Sequence, residues 1–241
     1  MWLFVPIVLL LMLPSQANPT FRFINDFEPY SLDSTNGCSF RDIMINDSNI
    51  VTLFWAAGIP HGRATLSRLF FQRFTADGIL DSERKTIFSD SLCSITNSIH
   101  VGGNSSGRWV LVNHLVREVR TEEFADHGLL MWHSGADGRL VELERGVGEQ
   151  VRPQAYNHWG CAGVNAEGAY AVCWSNSREP DGSEIWCQMF RTDGFPRDDT
   201  MRVSSERLEN RFELRDQRYA RTAMNSAGLF AVVWQANCDS C

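Results

Sequence analysis

Lysine is nearly missing from this chain. Lys85 is the only one, so arginine supplies the rest of the 22 basic residues, and 29 acidic residues leave a formal net charge of −7. Arginines scattered among acids form no basic stripe, which excludes the electrostatic footprint of a nucleic-acid binder. We read the single lysine as a compositional bias, since either cation serves on most exposed surfaces. No HExxH is present, and His61, His100, His114, His127, His133 and His158 are dispersed as loop or surface residues would be. A second cysteine pair at zinc-ligand spacing is missing, as is a dense Asp-x-Asp-x-Asp calcium loop. Neither metal nor cofactor is therefore expected, and Asp77, Asp137, Asp181 and Asp193, each followed by glycine, read as turn formers.

Long apolar runs are confined to the start. Trp2 to Leu13 is apolar, Pro14 breaks it, and Ser15-Gln16-Ala17 offers a small-residue cleavage pattern. Residues 1–17 thus read as a secretory signal peptide, although the n-region has no Lys or Arg. The run is shorter than the roughly 20 residues of a membrane-spanning helix, and an uncleaved anchor is the alternative. No later segment is apolar for long enough to span, so residues 18–241 read as a secreted, extracellular or cell-surface domain. Seven cysteines in an exported chain point to disulfides in an oxidising compartment. The odd number leaves at least one sulfur free, joined to another chain, or lacking a partner.

What the chain has in quantity is self-similarity. Asn165-Ala-Glu-Gly168 is echoed by Asn225-Ser-Ala-Gly228, by Asn104-Ser-Ser-Gly107 and, more loosely, by Asn46-Asp-Ser-Asn49. After each turn comes an alternating or apolar run: IVTLFW, RWVLVN, AYAVCW and LFAVVW. Between the turns lie FFQRFTADG at 70–78, LMWHSGADG at 130–138 and WCQMFRTDG at 186–194, each closing on an Asp-Gly turn. Short β-prone runs follow, such as TIF at 86–88 and MRV at 201–203. Period-2 alternation with turns at this spacing predicts antiparallel hairpins, four strands to a unit of about 60 residues. Such a sheet cannot bury its faces alone, and stacking sheets around an axis is what a β-propeller does.

The pattern of a turn, A-V-x-W, a polar loop, Q-x-F and D-G resembles the tandem repeats of secreted and surface-attached bacterial proteins whose units read roughly VVWQS, loop, YAQRFDADG. Val172, Trp174, Gln188, Phe190, Asp193 and Gly194 carry it here, as do Gln72, Arg73, Phe74, Asp77 and Gly78. The second copy departs, with Asn113 for Trp and Trp132-His133 for Arg-Phe. The resemblance implies propeller blades with a scaffold or adhesion role, and carries no catalytic set.

The fold class expected is all-β and propeller-like, with about three and a half units. Residues 20–24 resemble 200–204, so an N-terminal strand closing an imperfect four-unit ring is one reading. A piece of a longer propeller is the other, favoured because the fourth unit stops before its Gln-x-Phe strand.

Few residues suggest chemistry. Cys173 and Cys187 fall on consecutive strands where opposed positions can form a disulfide, with two buried thiols the alternative. Cys238-Asp-Ser-Cys241 trails a strand and reads as structural rather than redox-active. Asn46 and Asn104 open glycosylation sequons, both at expected turns. In Asn157-His158-Trp159-Gly160 the candidates for ligand binding are His158 and Trp159, since an exposed indole beside polar groups stacks on sugars; a core tryptophan is the competing reading. Glu122-Glu123 and Asp198-Asp199 supply loop carboxylates, but the Ser-x-Asp-x-Gly-x-x-Trp box of sialidase propellers is missing. The expectation is a binding or adhesion module for an extracellular glycan or protein, with no identifiable catalytic residues. A glycoside hydrolase or lyase on the same scaffold is the alternative, and an inactive fragment with an exposed sheet edge the third.

Overall fold

The computed structural model describes residues 38–61, 64–75, 77–90, 93–117, 126–147, 156–178, 182–204, 207–208 and 212–238. The expected signal peptide, the strand at 20–24, the hairpin tip at 179–181 and the last three residues lie outside these. All regular structure among the described residues is β. The first sheet is β1 (Cys38–Ile45), β2 (Val51–His61), β3 (Ala64–Phe74) and β4 (Lys85–Asp90). The second is β5 (Cys93–Gly103), β6 (Trp109–Arg117), β7 (Asp126–Ser134) and β8 (Leu140–Val147). The third is β9 (Tyr156–Val164), β10 (Tyr170–Arg178), β11 (Gly182–Phe190) and β12 (Met201–Arg202). In each, chain neighbours are sheet neighbours and all pairs are antiparallel, giving the four-stranded meander that the repeat predicts. A fourth sheet holds β13 (Arg207–Leu208), β14 (Phe212–Met224) and β15 (Phe230–Cys238) in that order. Its two long strands are the first two of the fourth unit. No sheet closes on itself, and no described helix is long and apolar enough to cross a membrane.

The repeated turn residues have defined work. In each Asn-x-x-Gly turn the asparagine Oδ1 accepts a backbone N–H from across its own hairpin: Ile50 for Asn46 (2.8 Å), Arg108 for Asn104 (3.0 Å), Ala169 for Asn165 (2.9 Å) and Leu229 for Asn225 (2.9 Å). The fourth turn position needs a left-handed backbone. Gly107, Gly168 and Gly228 take it at φ of 95°, 94° and 82°, and Asn49, the loose match, takes it at 57°. In the second signature, Gln72 and Gln188 donate from Nε2 to the carbonyls of Ser82 and Asp198, each ten residues on (both 3.5 Å). Gln-x-Phe therefore ties down the loop that follows Asp-Gly.

Alternation gives each sheet two apolar faces, and the sheets bury them against one another. Between the first and second lie Phe54, Leu69, Phe71 and Phe88 against Trp109, Leu111 and Trp132. Between the second and third lie Val110, Val112, Leu129 and Met131 against Tyr170, Val172, Trp174 and Phe190. Cys161, Cys173, Ile185 and Cys187 then meet Ala220 and the partly buried Phe230, Val232 and Trp234. The far face of the fourth sheet is open, with Leu229 and Val233 73% and 66% exposed. Asn113, which replaces the repeat tryptophan, is wholly buried and makes no side-chain hydrogen bond within the protein.

The first strands of successive sheets pack side by side, β1 on β5, β5 on β9 and β9 on β14. That succession is the propeller-like arrangement, with the first strand of each unit innermost. The approach is close: a Cβ on Gly102 would lie 2.2 Å from the carbonyl oxygen of Ala162 on the next inner strand.

Two substitutions test this packing. Trp174→Ala removes a wholly buried indole from between two sheets, so urea unfolding should show a loss of roughly 3 to 5 kcal/mol. Asn104 donates from Nδ2 to the carbonyl of Asn165 at 2.7 Å, linking adjacent turns, and Asn104→Ala should cost about 1 to 2 kcal/mol in the same assay.

Candidate functional site

Strand irregularities recur at one place in the repeat. The β9–β10 register breaks between the Cys161↔Cys173 and His158↔Ser175 pairs, and the β14–β15 register breaks between Arg221↔Val233 and Arg218↔Gln235. In both, two residues of the inner strand face one tryptophan, Trp174 or Trp234. A bulge of this kind bends its strand and re-aims side chains. Its first residue is Trp159 in β9 and Tyr219 in β14, each six residues before the turn asparagine. Both stand at positive φ, 51° and 56°, a conformation that costs a bulky residue about 1 to 3 kcal/mol.

What the strained backbone achieves is an encounter between neighbouring units. The Trp159 and Tyr219 rings lie 4.9 Å apart at 49°, and the Arg218 guanidinium sits 5.2 Å over the indole. Tyr219 is 47% exposed and Trp159 and Arg218 half-buried, so the cluster is an aromatic platform with a cation beside it and a face toward solvent. Behind it, Ser175 donates from Oγ to the carbonyl of the buried Gln217 at 2.7 Å and anchors the start of the bulge. Trp159 therefore belongs to a surface cluster rather than to the sheet cores. His158 is in β9, but its side chain lies outside the described residues. Tyr219 and Arg218 were not among the sequence candidates. Aligning the repeats six positions before each turn asparagine would have exposed Tyr219 as the counterpart of Trp159.

Two residues further along each inner strand runs a polar row: Asp42, His100, Cys161 and Arg221, each four before its turn asparagine. Asp42 accepts from the Val101 N–H of the next unit at 2.8 Å and from the Ile43 N–H at 2.9 Å. The backbone N–H groups of Cys173 and, in the next unit, Thr222 favour the thiolate of Cys161. Through Asp42 the row ties two adjacent inner strands together. Its residue types also invite a nucleophilic reading, which the electrostatics argue against. Burial pushes the Cys161 thiol up to about 12, outweighing Arg221 and the two N–H donors that pull it down. Burial and then Arg221 hold His100 below the ordinary imidazole value, against the upward pull of Asp42. A thiol that burial keeps protonated is not a poised nucleophile.

The other sequence candidates are placed as follows. Cys173 and Cys187 are directly opposed on β10 and β11 and form a disulfide, with Cα atoms 4.1 Å apart. Phe54 and Phe71 are paired at the same place in the first unit, and Val112 and Met131 in the second. Asn46 is half-buried in its turn. Asn104 is buried with its amide nitrogen bonded to Asn165, so a glycan there would displace that bond. Asp137 and Asp193 accept from the N–H groups of Arg139 and Phe195 (both 3.0 Å), as turn formers do. Glu122 and Glu123 lie outside the described residues. Among the described residues no three His, Cys, Asp or Glu side chains gather to hold a metal ion.

These shifts set two expectations. Iodoacetamide at pH 8 should leave Cys161 unmodified in the native protein and alkylate it after denaturation, as peptide mapping would show. His100 binds its proton less readily folded than unfolded. Its contribution to stability is complete above about pH 6.5 and falls as pH drops toward the lowered native value. His100→Gln should flatten the fall in melting temperature between pH 7 and pH 5.

No family model and no curated protein matches the sequence. Solved structures do. An endo-arabinase from Bacteroides thetaiotaomicron is similar at 10% identity and a TM-score of 0.40, over 66% of this chain and 58% of that one. A protein of unknown function from Dyadobacter fermentans is similar at 10% identity and a TM-score of 0.49, over 84% of this chain and 63% of that one. The chain thus spans less than two thirds of the length of either.

Proposed function

We propose that the protein is a secreted or surface-associated binding module that takes a glycan on the platform of Trp159, Tyr219 and Arg218. One observation carries this reading: adjacent units hold aromatic residues at positive φ in equivalent bulges, and the two rings and a guanidinium meet with a face open to solvent. The C–H face of a sugar ring packs on an aromatic ring, and its hydroxyls find donors in a guanidinium. Placing the rings on strands rather than long loops fixes their separation before the ligand arrives, which lowers the cost of ordering on binding. The Cys173–Cys187 disulfide is compatible with export to an oxidising compartment, and the resemblance of the repeats to bacterial surface proteins supports an adhesive role. The polar row also favours binding over turnover. A glycosidase needs two available carboxyl groups at defined separation, and Asp42 has each oxygen engaged by a backbone N–H.

The test is a screen of the full chain against immobilised glycans, followed by titration of any hit. Trp159→Gly and Tyr219→Gly each remove a ring while suiting the left-handed backbone, so the fold should survive. Each should weaken binding roughly ten-fold or more, a loss of about 1.4 kcal/mol. Unchanged affinity in both variants would overturn the assignment, and release of cleaved sugar would move the protein to the carbohydrate-active enzymes.

A further inference from the structure

A cleft of about 750 Å³ lies between the first two sheets, walled by the loop after the first Asp-Gly turn and by the second Asp-Gly turn itself. That volume falls within the roughly 300 to 1,000 Å³ usual for small-ligand sites. Its walls are braced by charges that satisfy one another. Arg73 donates from Nη1 to the carbonyl of Asp137 at 2.6 Å, across the two sheets, and its Nη2 pairs with Asp81 at 3.1 Å. Arg139 pairs with Asp137 at 3.4 Å. These contacts hold the walls in place and leave a second set of groups unused.

The unused groups have a definite chemistry. Lys85 and Glu83 are exposed in the cleft and, among the described residues, engaged in no ion pair. Ser82 turns its Oγ into the protein, shielded from solvent and with no hydrogen-bond partner. The apolar surface offered to a ligand is the half-buried Leu140, since the Phe71 ring behind it is packed against Phe54 and Trp109. An exposed ammonium, an exposed carboxylate and the half-buried Leu140 together suit a sugar ring that bears a carboxylate. A bare phosphate or sulfate would meet Glu83 and gain nothing from Leu140. A neutral sugar would leave Lys85 unpaired.

We propose that this cleft is a second binding site, independent of the aromatic platform, for a uronic acid residue. Lys85 receives the carboxylate and Glu83 accepts from ring hydroxyls. The rare lysine is then a functional residue.

The composition supplies an unusually clean assay. Because Lys85 is the only lysine, acetylation with an amine-reactive ester modifies Lys85 and the chain's α-amino group alone, and mass spectrometry reads the two separately. With trigalacturonate as the probe, acetylation of Lys85 should slow several-fold while the α-amino rate is unchanged, and maltotriose should have no effect. Lys85→Gln should weaken trigalacturonate binding about ten-fold or more, the loss expected when a charged hydrogen-bond partner is removed. Ser82→Ala, which removes an oxygen shielded from the cleft, should leave binding unchanged. Trp159→Gly should leave the protection of Lys85 intact, which separates this site from the platform. Equal rates with and without trigalacturonate, or equal protection by maltotriose, would overturn the proposal.

Discussion

A sheet with two apolar faces needs a neighbour on each side, and most of this structure follows from that need. The alternation of β2, β6, β10 and β15 sends every second side chain to the front of its sheet and the others to the back. Trp109 and Leu111 on the front of the second sheet reach Phe54 and Phe71 on the back of the first, and Tyr170, Val172 and Trp174 repeat the relation one unit on. The chemistry at a given position can change so long as the space is filled. The cross-strand pair that is Phe54 with Phe71 in the first unit is Val112 with Met131 in the second and a disulfide in the third.

Stacking alone would permit parallel layers. What converges the units is the behaviour of their innermost strands. Gly102 and Gly163 have no side chain where the next strand's backbone arrives, so β5 meets β9 and β9 meets β14 closely. At the turn end, Asn104 spends its oxygen on its own hairpin and its nitrogen on the neighbour's carbonyl. At the other three turns the shared bond is the one to the hairpin's own N–H, which the asparagine Oδ1 accepts each time. Four residues before its turn asparagine, Asp42 accepts an N–H from the next unit. A carboxylate that reads as a candidate for chemistry is thereby occupied with joining strands.

Legibility in the sequence followed the range of the interactions. The hairpins were readable because a turn asparagine, a left-handed glycine and an Asp-Gly step act within a few residues, and because alternation at period 2 is a local signal. The Cys173–Cys187 pair was readable as a candidate because the turn between the strands fixed their register. The platform was half legible: the loop around Trp159 stood out, but its partner Tyr219 sits in a strand that looks regular, and a bulge leaves no composition of its own. Arg218 was hidden further, since one arginine among 22 basic residues carries no signal until the indole beneath it is known. The cleft was not legible at all. It is made by two segments whose meeting depends on the stacking of sheets, and the rarity of Lys85 reads from sequence as bias.

The places where the repeat departs from itself are also those where the structure offers chemistry. Strand signatures persist because they fill the interfaces, and a change there is costly or is compensated, as in the exchange of an aromatic pair for a disulfide. Side chains at the bulges and in the loops after Asp-Gly carry no such duty. In the first unit the loop tied down by Gln72 carries Ser82 and Glu83 and leads into Lys85 at the start of β4, whereas in the third the loop tied down by Gln188 carries Asp198 and Asp199 and leads into Met201 at the start of β12. One backbone device thus presents two different sets of groups. Rigid tethering with variable display is what a binding scaffold requires, and here it follows from a glutamine amide holding a loop carbonyl while the side chains around it are left to differ.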